Sequence, residues 1–204
     1  MEESLPSLDR SPIEPNSARW NDELEWMRCV AGGDGEAMEQ LLERYQVGIR
    51  VLVGRLTAWG PDTDDLTQEI FLKAWQRASQ FQRGTSLQNW LYTIAVNQCR
   101  NHRRGLQRWW RMLDRLFEHK RGEAVTPLLA RAEQEESWNE LQQALLQLRL
   151  ADRELLVLTY MEQKSSHEIA QILGITENNY YVRIHRAKER LTEHLVRVRT
   201  QVTS

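Results

Sequence analysis

The stretch from Ser165 to Arg190, SSHEIAQILGITENNYYVRIHRAKER, constrains this chain more than any other. Ser165 followed by Glu168 has the form of a capping box, in which a hydroxyl and a carboxylate satisfy backbone N–H groups left free at a helix start. Ile169, Ala170, Ile172 and Leu173 then supply an apolar face for a helix of about two turns. Gly174 suits the left-handed residue that ends such a helix, Ile175 can plug the space between two helices, and Thr176 is an N-cap for the next. In that next helix Tyr180, Ile184, Ala187, Leu191, Leu195 and Val198 recur at helical spacing as a buried stripe. Two short helices joined by a glycine turn read as a helix-turn-helix, which lays its second helix in the DNA major groove.

At about 100° per residue, the side opposite that stripe presents Asn178, Val182, His185, Arg186 and Glu189, flanked by Asn179 and Tyr181. Asparagine can pair with the adenine edge, arginine with guanine or phosphate, and a valine methyl can meet the thymine methyl. A helical hairpin inside a larger bundle would also carry such residues on its solvated face. The capping box, small residue and glycine turn at the required spacing favour DNA binding. Arg183, Lys188 and Arg190 suit phosphate contact or local ion pairs.

The formal net charge of −2 argues against nucleic acid when taken alone, but its distribution does not. Acidic residues gather before residue 70 and from Glu133 to Glu140, while Arg100, Arg103, Arg104, Arg108, Arg111 and Arg115 form a basic stretch. Basic patches on a mildly acidic chain suit selective DNA contact. Leu, Ala, Glu, Gln and Arg dominate without valine-rich alternating runs, so an all-α fold is expected. The 204 residues allow one medium domain or two small ones. No apolar run approaches the roughly eighteen residues of a membrane span, and the acidic, proline-dotted start is unlike a signal peptide. A cytoplasmic protein without membrane insertion is expected. Cys29 and Cys99 are single and far apart, and the histidines lack metalloenzyme or zinc-finger spacing, so neither metal nor cofactor is expected.

Turn residues divide the chain. Residues 1–18, with Pro6, Pro12 and Pro15, read as a disordered tail. A helical block follows over 19–104, punctuated by Gly32, Gly33, Gly35 and Gly60-Pro61. A flexible linker over 105–136 carries Gly105, Gly122 and Pro127. The second block spans 137–200, opening with an amphipathic helix marked by Trp138, Leu141, Leu145 and Leu148.

The first block carries two further signals. In DTDDLTQEIFLKAWQ, Leu66, Ile70, Phe71, Ala74 and Trp75 are read as the buried stripe, with Asp64, Asp65, Gln68, Glu69 and Leu72 on other faces. Carboxylates at a helix start are stabilised by its dipole, so this is either a well-capped helix or an acidic face that docks on a basic partner helix. In FQRGTSLQNWLYTIAVNQCRNHRR, Leu87, Trp90, Leu91, Ile94 and Ala95 form a core face. Asn97, Arg100, Asn101, Arg103 and Arg104 follow on the same helix, beside a glycine-containing loop. Amides beside arginines and aromatics are what capture of an unstacked base requires.

The order of DTDDLTQEIFLKAW, FQRGTSLQNWLYTIAVN, a linker and a terminal helix-turn-helix ending in RIHRAKERL resembles the extracytoplasmic-function group of the sigma-70 family, over residues 22–197. The resemblance implies two small helical domains, region 2 over 19–104 and region 4 over 137–200. It assigns Asp62, Asp64, Asp65, Gln68 and Glu69 to the helix that grips the clamp coiled coil of core RNA polymerase. Phe81, Gln82, Arg83, Gly84 and Thr85, with Asn97, match the pocket for a base flipped from the −10 element, with Arg100, Arg103 and Arg104 as further −10 contacts. Asn178, Asn179, Tyr181, Val182, Arg183, His185 and Arg186 correspond to the reader of the −35 duplex. The family also implies promoter DNA as ligand, regulation by an anti-sigma factor, and no catalytic residues.

Many relatives begin the recognition helix with a small residue followed by Thr-Val-Lys/Arg-Ser-Arg, whereas this chain has Asn178-Asn179-Tyr180-Tyr181-Val182-Arg183. An altered −35 preference is therefore expected. Trp109 and Trp110 either pack the linker on region 2 or contact a partner protein. Two rival readings are a DNA-binding regulator of the response-regulator type and a helical enzyme. The second lacks a nucleophile–base pair, a phosphate loop or a metal set.

Overall fold

The computed structural model describes residues 22–84, 86–116 and 136–202. The expected tail, Thr85 and residues 117–135 of the expected linker lie outside the described residues. Eight α-helices are described, with no strand among the described residues.

Helix α1 (Glu23–Ala31) starts where the Asp22 carboxylate accepts the Leu24 N–H at 2.9 Å, and it buries Trp26, Met27 and Val30. The Trp26 indole N–H donates to the Ala37 carbonyl at 2.9 Å, tying α1 to α2 (Gly35–Thr57). That second helix is capped by Asp34 and buries Leu41, Ile49, Leu52, Val53 and Leu56. It ends on two residues of positive φ, Ala58 at 68° and Trp59 at 53°. The Trp59 N–H returns to the Gly54 carbonyl at 2.8 Å, and its ring lies so close over Gly54 that a Cβ there would meet ring carbon at 2.5 Å. Helix α3 (Thr63–Gln76) and the long α4 (Leu87–Leu116) pack against α2 and each other, with a short 3₁₀ turn, Ala78–Gln80, between them. Burial of Leu66, Ile70 and Phe71 from α3 and Leu87, Leu91, Ala95 and Val96 from α4 closes this first core.

Two expectations for this block are corrected. Trp75 is half exposed, not part of the buried stripe. It lies nine positions beyond Leu66, which at about 100° per residue puts it on the opposite side of the helix. The helix expected to end near Arg104 continues through Gly105 to Leu116. An interior glycine costs only about 1 kcal/mol of helix stability, too little to break a run otherwise rich in Leu and Arg. Trp109 therefore stands on α4, half exposed, while the side chain of Trp110 is outside the described residues.

The second block comprises α5 (Glu136–Gln147), α6 (Leu150–Leu156) continuing as a π turn over Val157–Met161, α7 (Ser166–Leu173) and α8 (Glu177–Val202). Its helix-turn-helix follows the local pattern closely. Ser165 and Glu168 form the capping box, Gly174 ends α7 at φ 68°, and the Thr176 hydroxyl accepts the Asn179 N–H at 3.2 Å. Ile169, Ile172 and Leu173 meet Tyr180, Ile184 and Ala187 in the buried interior.

The two blocks are packed on one another. Helix α7 lies against α4, and α6 with its π turn lies against α2, so one continuous set of buried side chains runs through both.

Candidate nucleic-acid interface

The outward face of α8 carries Asn178, Asn179, Val182, His185 and Arg186, all exposed, with Tyr181 beside them and Arg183 half-buried. The Tyr181 hydroxyl donates to the Ser166 hydroxyl at 3.2 Å and its ring stands edge-on to Tyr180 at 5.2 Å, which tilts the side chain toward the start of α7. Glu177 accepts from the Ser166 hydroxyl at 3.2 Å and lies 2.9 Å from His167 Nδ1. These hydrogen bonds, that with His167 foremost, hold its carboxyl below the usual range. His185 lies 3.4 Å from Glu189.

The basic residues of α8 divide by partner. Arg190 pairs with Asp152 at 2.8 Å, and the Lys188 ammonium sits over the Tyr160 ring at 5.2 Å. Both belong to local contacts. Arg186 makes no ion pair among the described residues and points outward, leaving its guanidinium available for a base edge or a phosphate.

In the first block the loop after the 3₁₀ turn folds back on α1. Phe81 is buried edge-on against Trp90, with ring centroids 5.6 Å apart, and serves as the floor of the loop. Gln82, Arg83 and Gly84 are exposed, Gly84 at φ 104°, and Arg83 pairs with Asp22 at 3.0 Å. A cavity of about 300 Å³ opens here, bounded by Leu24, Arg28, Ala78, Phe81, Gln82 and Arg83. Asn97 is exposed on α4 and does not line it. Arg103 and Arg104 are exposed further along α4. Arg100 is already engaged: its Nε and Nη2 donate to the two carboxylate oxygens of Glu154 at 2.8 and 2.6 Å. Nearby Cys99 is buried, and burial together with the Glu154 charge pushes its thiol up to about 12, leaving it inert.

The acidic side of α3 is uneven in the same way. Asp62 lies 3.2 Å from His102, and Asp64 pairs with Arg50 at 2.6 Å. Glu69 accepts from Gln98, whose carbonyl oxygen in turn accepts from Lys73. Asp65 and Gln68 are exposed, and Asp65 makes no ion pair among the described residues. Leu72 and Trp75 continue their face, each 50% exposed. At about 100° per residue, Asp65, Gln68, Glu69, Leu72 and Trp75 fall within one third of the helix circumference. The carboxylates alone stand out in the sequence. The exposed apolar pair is hidden there as long as Trp75 is counted with the core, although its angular distance from Leu66 already separates the two.

Residues 41–110 match the family model for Sigma-70 region 2, and residues 138–191 match that for Sigma-70, region 4. The RNA polymerase sigma factor NccH of Alcaligenes xylosoxydans xylosoxydans is 30% identical over 174 residues, covering 81% of this chain and 90% of that protein. The chain belongs to the sigma-70 family, in its extracytoplasmic-function group. This sigma factor is also 29% identical over 185 residues to the ECF RNA polymerase sigma factor SigM of Mycobacterium tuberculosis, covering 88% of each chain. Among solved structures, the sigma factor RpoE of Bartonella quintana, in complex with the anti-sigma factor NepR, superposes with a TM-score of 0.61 at 26% identity. That match covers 77% of this sigma factor and 95% of RpoE. The region 2 match extends to residue 110, beyond Gly105 and inside α4. As a sigma factor, the protein associates with core RNA polymerase and promoter DNA in transcription initiation. Among the described residues, no helix is long and apolar enough to cross a membrane, and no three His, Cys, Asp or Glu side chains converge as metal ligands.

Proposed function

We propose that this cytoplasmic sigma factor grips core polymerase through the α3 face, opens the −10 element at the loop preceding α4, and reads the −35 duplex with α8. The observation that carries this reading is the pairing of two exposed surfaces of opposite chemistry on one chain. Asp65, Gln68, Leu72 and Trp75 form an acidic and apolar face, while Asn178, Val182 and Arg186 form a base-reading face without partners among the described residues. An acidic helix flanked by exposed Leu and Trp complements a basic helix carrying apolar side chains, with the aromatic as the anchor. Asn178 and Arg186 offer the bidentate donors and acceptors that adenine and guanine edges require in the major groove.

At the −10 element a base must leave the stack, at a cost of a few kcal/mol. The Phe81-floored loop, with the exposed Gln82 and Arg83, supports the role of holding an extruded base, and Asn97, Arg103 and Arg104 would follow the strand along α4. Melting is then driven by binding energy and needs no nucleotide hydrolysis, so the sigma factor itself contributes no bond-making group. Tyr181, held toward Ser166, reads the edge of the −35 site and shifts its preference away from that of relatives with a basic residue there. The RpoE–NepR complex supports control of this sigma factor by an anti-sigma factor.

Transcription in vitro with purified core polymerase on a genomic DNA library, with and without the protein and with the 5′ ends sequenced, tests the proposal. New starts sharing paired upstream elements are expected. Sequence-specific binding by the protein alone, with no new starts, would instead indicate a conventional DNA-binding regulator.

A further inference from the structure

Arg153 of α6 is 6% exposed, and no carboxylate pairs with it among the described residues. Two helix ends hold its charge out of water instead. Nε donates to the Leu145 carbonyl at 2.8 Å, and Nη2 to those of Leu146 at 2.7 Å and Leu148 at 3.3 Å, all around the close of α5. Nη1 donates to the Leu56 carbonyl at 2.8 Å, at the close of α2. Helix C-termini favour a cation, which accounts for a buried guanidinium here. They do not use it up. Of its five N–H groups four are taken, and the fifth, on Nη1, has no acceptor among the described residues.

The same side chain forms part of the wall of a cavity of about 720 Å³, a size that suits a small molecule. Leu56, Leu106, Leu146 and Leu150 supply its apolar wall, and Leu106 is 42% exposed. Arg103 of α4 stands at this cavity too, exposed and without an ion pair among the described residues. Burial first, and the like charge of Arg103 second, bring the Arg153 guanidinium down to about 10. Asp62, the one carboxylate among the lining residues, lies 3.2 Å from His102. Arg103, Arg153 and Asp62 together give the lining a net charge of +1 with His102 neutral.

We infer that this cavity binds a small amphipathic carboxylate, its anionic head on Arg103 and the spare Nη1 N–H of Arg153, its aliphatic body against the leucines. One negative charge matches the net charge of the lining, and guanidinium N–H groups meet a carboxylate through charge-assisted hydrogen bonds. Removing the leucine walls and an aliphatic body from water together supplies the rest of the affinity. Arg103 alone would serve a strand phosphate equally well. The buried Arg153 would not, and the two cations on one leucine-lined wall point to a small molecule.

Octanoate is the probe, titrated into the full chain and followed by ¹H–¹⁵N NMR. Octan-1-ol, which keeps the body without the charge, and acetate, which keeps the charge without the body, are titrated beside it. Octanoate should saturate one site, perturbing amides around the cavity on α2, α4, α5 and α6. It should bind ~10-fold or more tightly than either control, the scale of one charge-assisted hydrogen bond. Arg103→Gln should weaken octanoate by a similar ~10-fold and leave octan-1-ol unchanged. Leu106→Gln should weaken both. The two residues are exposed, so the fold tolerates the changes, and circular dichroism checks it. Equal affinity for octanoate and octan-1-ol overturns the anionic head. Equal affinity for octanoate and acetate overturns the apolar body and marks Arg103 as a plain phosphate contact. Octanoate that fails to bind at millimolar concentration, or whose binding ignores both substitutions, overturns the site.

Discussion

Asn89 and Glu168 join the helix-turn-helix to the long helix of region 2: the Asn89 amide donates to one carboxylate oxygen of Glu168 at 3.0 Å, while the other oxygen accepts the Ser165 N–H at 2.9 Å. One carboxylate therefore caps α7 and fastens α7 to α4. Hydrogen bonds from Asn89 first, and then from the Ser165 backbone, hold its pKa at about 2, against an ordinary value of 4.5. A depressed folded-state pKa adds stability that is complete above the unfolded value and is lost as pH falls toward the folded one. The urea midpoint of the wild type should accordingly drop between about pH 4.5 and pH 2. Glu168→Gln should be less stable at neutral pH and should show a shallower acid slope. An identical slope in the variant would remove Glu168 from the acid response.

The α3 face should behave as one docking surface in which charge and apolar contact act together. Asp65→Arg should weaken competition for core polymerase and leave helical content intact, because Asp65 is exposed. Trp75→Ala should weaken it by about 2 kcal/mol or more, the scale of an aromatic anchor buried on binding. Its half-exposed position makes the fold tolerant of the change. Unaltered polymerase affinity in both variants would reassign the face to simple helix solvation.

The two promoter contacts should separate kinetically. Asn97→Ala is expected to reduce permanganate reactivity of the −10 region while closed-complex affinity stays near wild type. Arg186→Ala should lower affinity at the −35 element by about 1–3 kcal/mol, the range for one base-reading pair, and relax preference at a single position. If Asn97→Ala altered closed binding and opening equally, its role in strand capture would be lost.

The end of α2 makes opposite predictions at neighbouring glycine-sensitive positions. Ala58 adopts φ 68°, where an L-residue carries about 1 kcal/mol of strain relative to glycine. Ala58→Gly should stabilise the protein by somewhat less, since glycine also loosens the unfolded chain. Gly54→Ala should cost about 1–3 kcal/mol as the new methyl meets the Trp59 ring. Equilibrium urea unfolding of the two variants measures both signs.

Features carried by short segments are legible in the amino-acid sequence. The capping box at Ser165 and Glu168, the left-handed Gly174, the cap at Thr176 and the buried Tyr180–Ile184–Ala187 stripe each depend on residues a few positions apart. Each also appears in the fold at the expected residues. Where expectation and fold part, residue type outweighs geometry in the expectation. Trp75 is apolar yet faces outward, and Gly105 is a poor helix former inside a segment whose other residues favour helix.

Helical character, the start and turn of the helix-turn-helix, and the outward side of α8 all follow from the order of the residues. Helix periodicity and capping are short-range and need no partner. Three-dimensional packing, and nothing local, sets Arg100 against Glu154 and Arg55 against Glu162 across 107 positions of chain. It likewise gives Arg190 to Asp152 while Arg186 is left without an ion pair among the described residues. An ion pair has no periodicity to betray it. Opposite charges find each other only when packing of apolar faces elsewhere brings their helices together, and that packing depends on the whole chain at once.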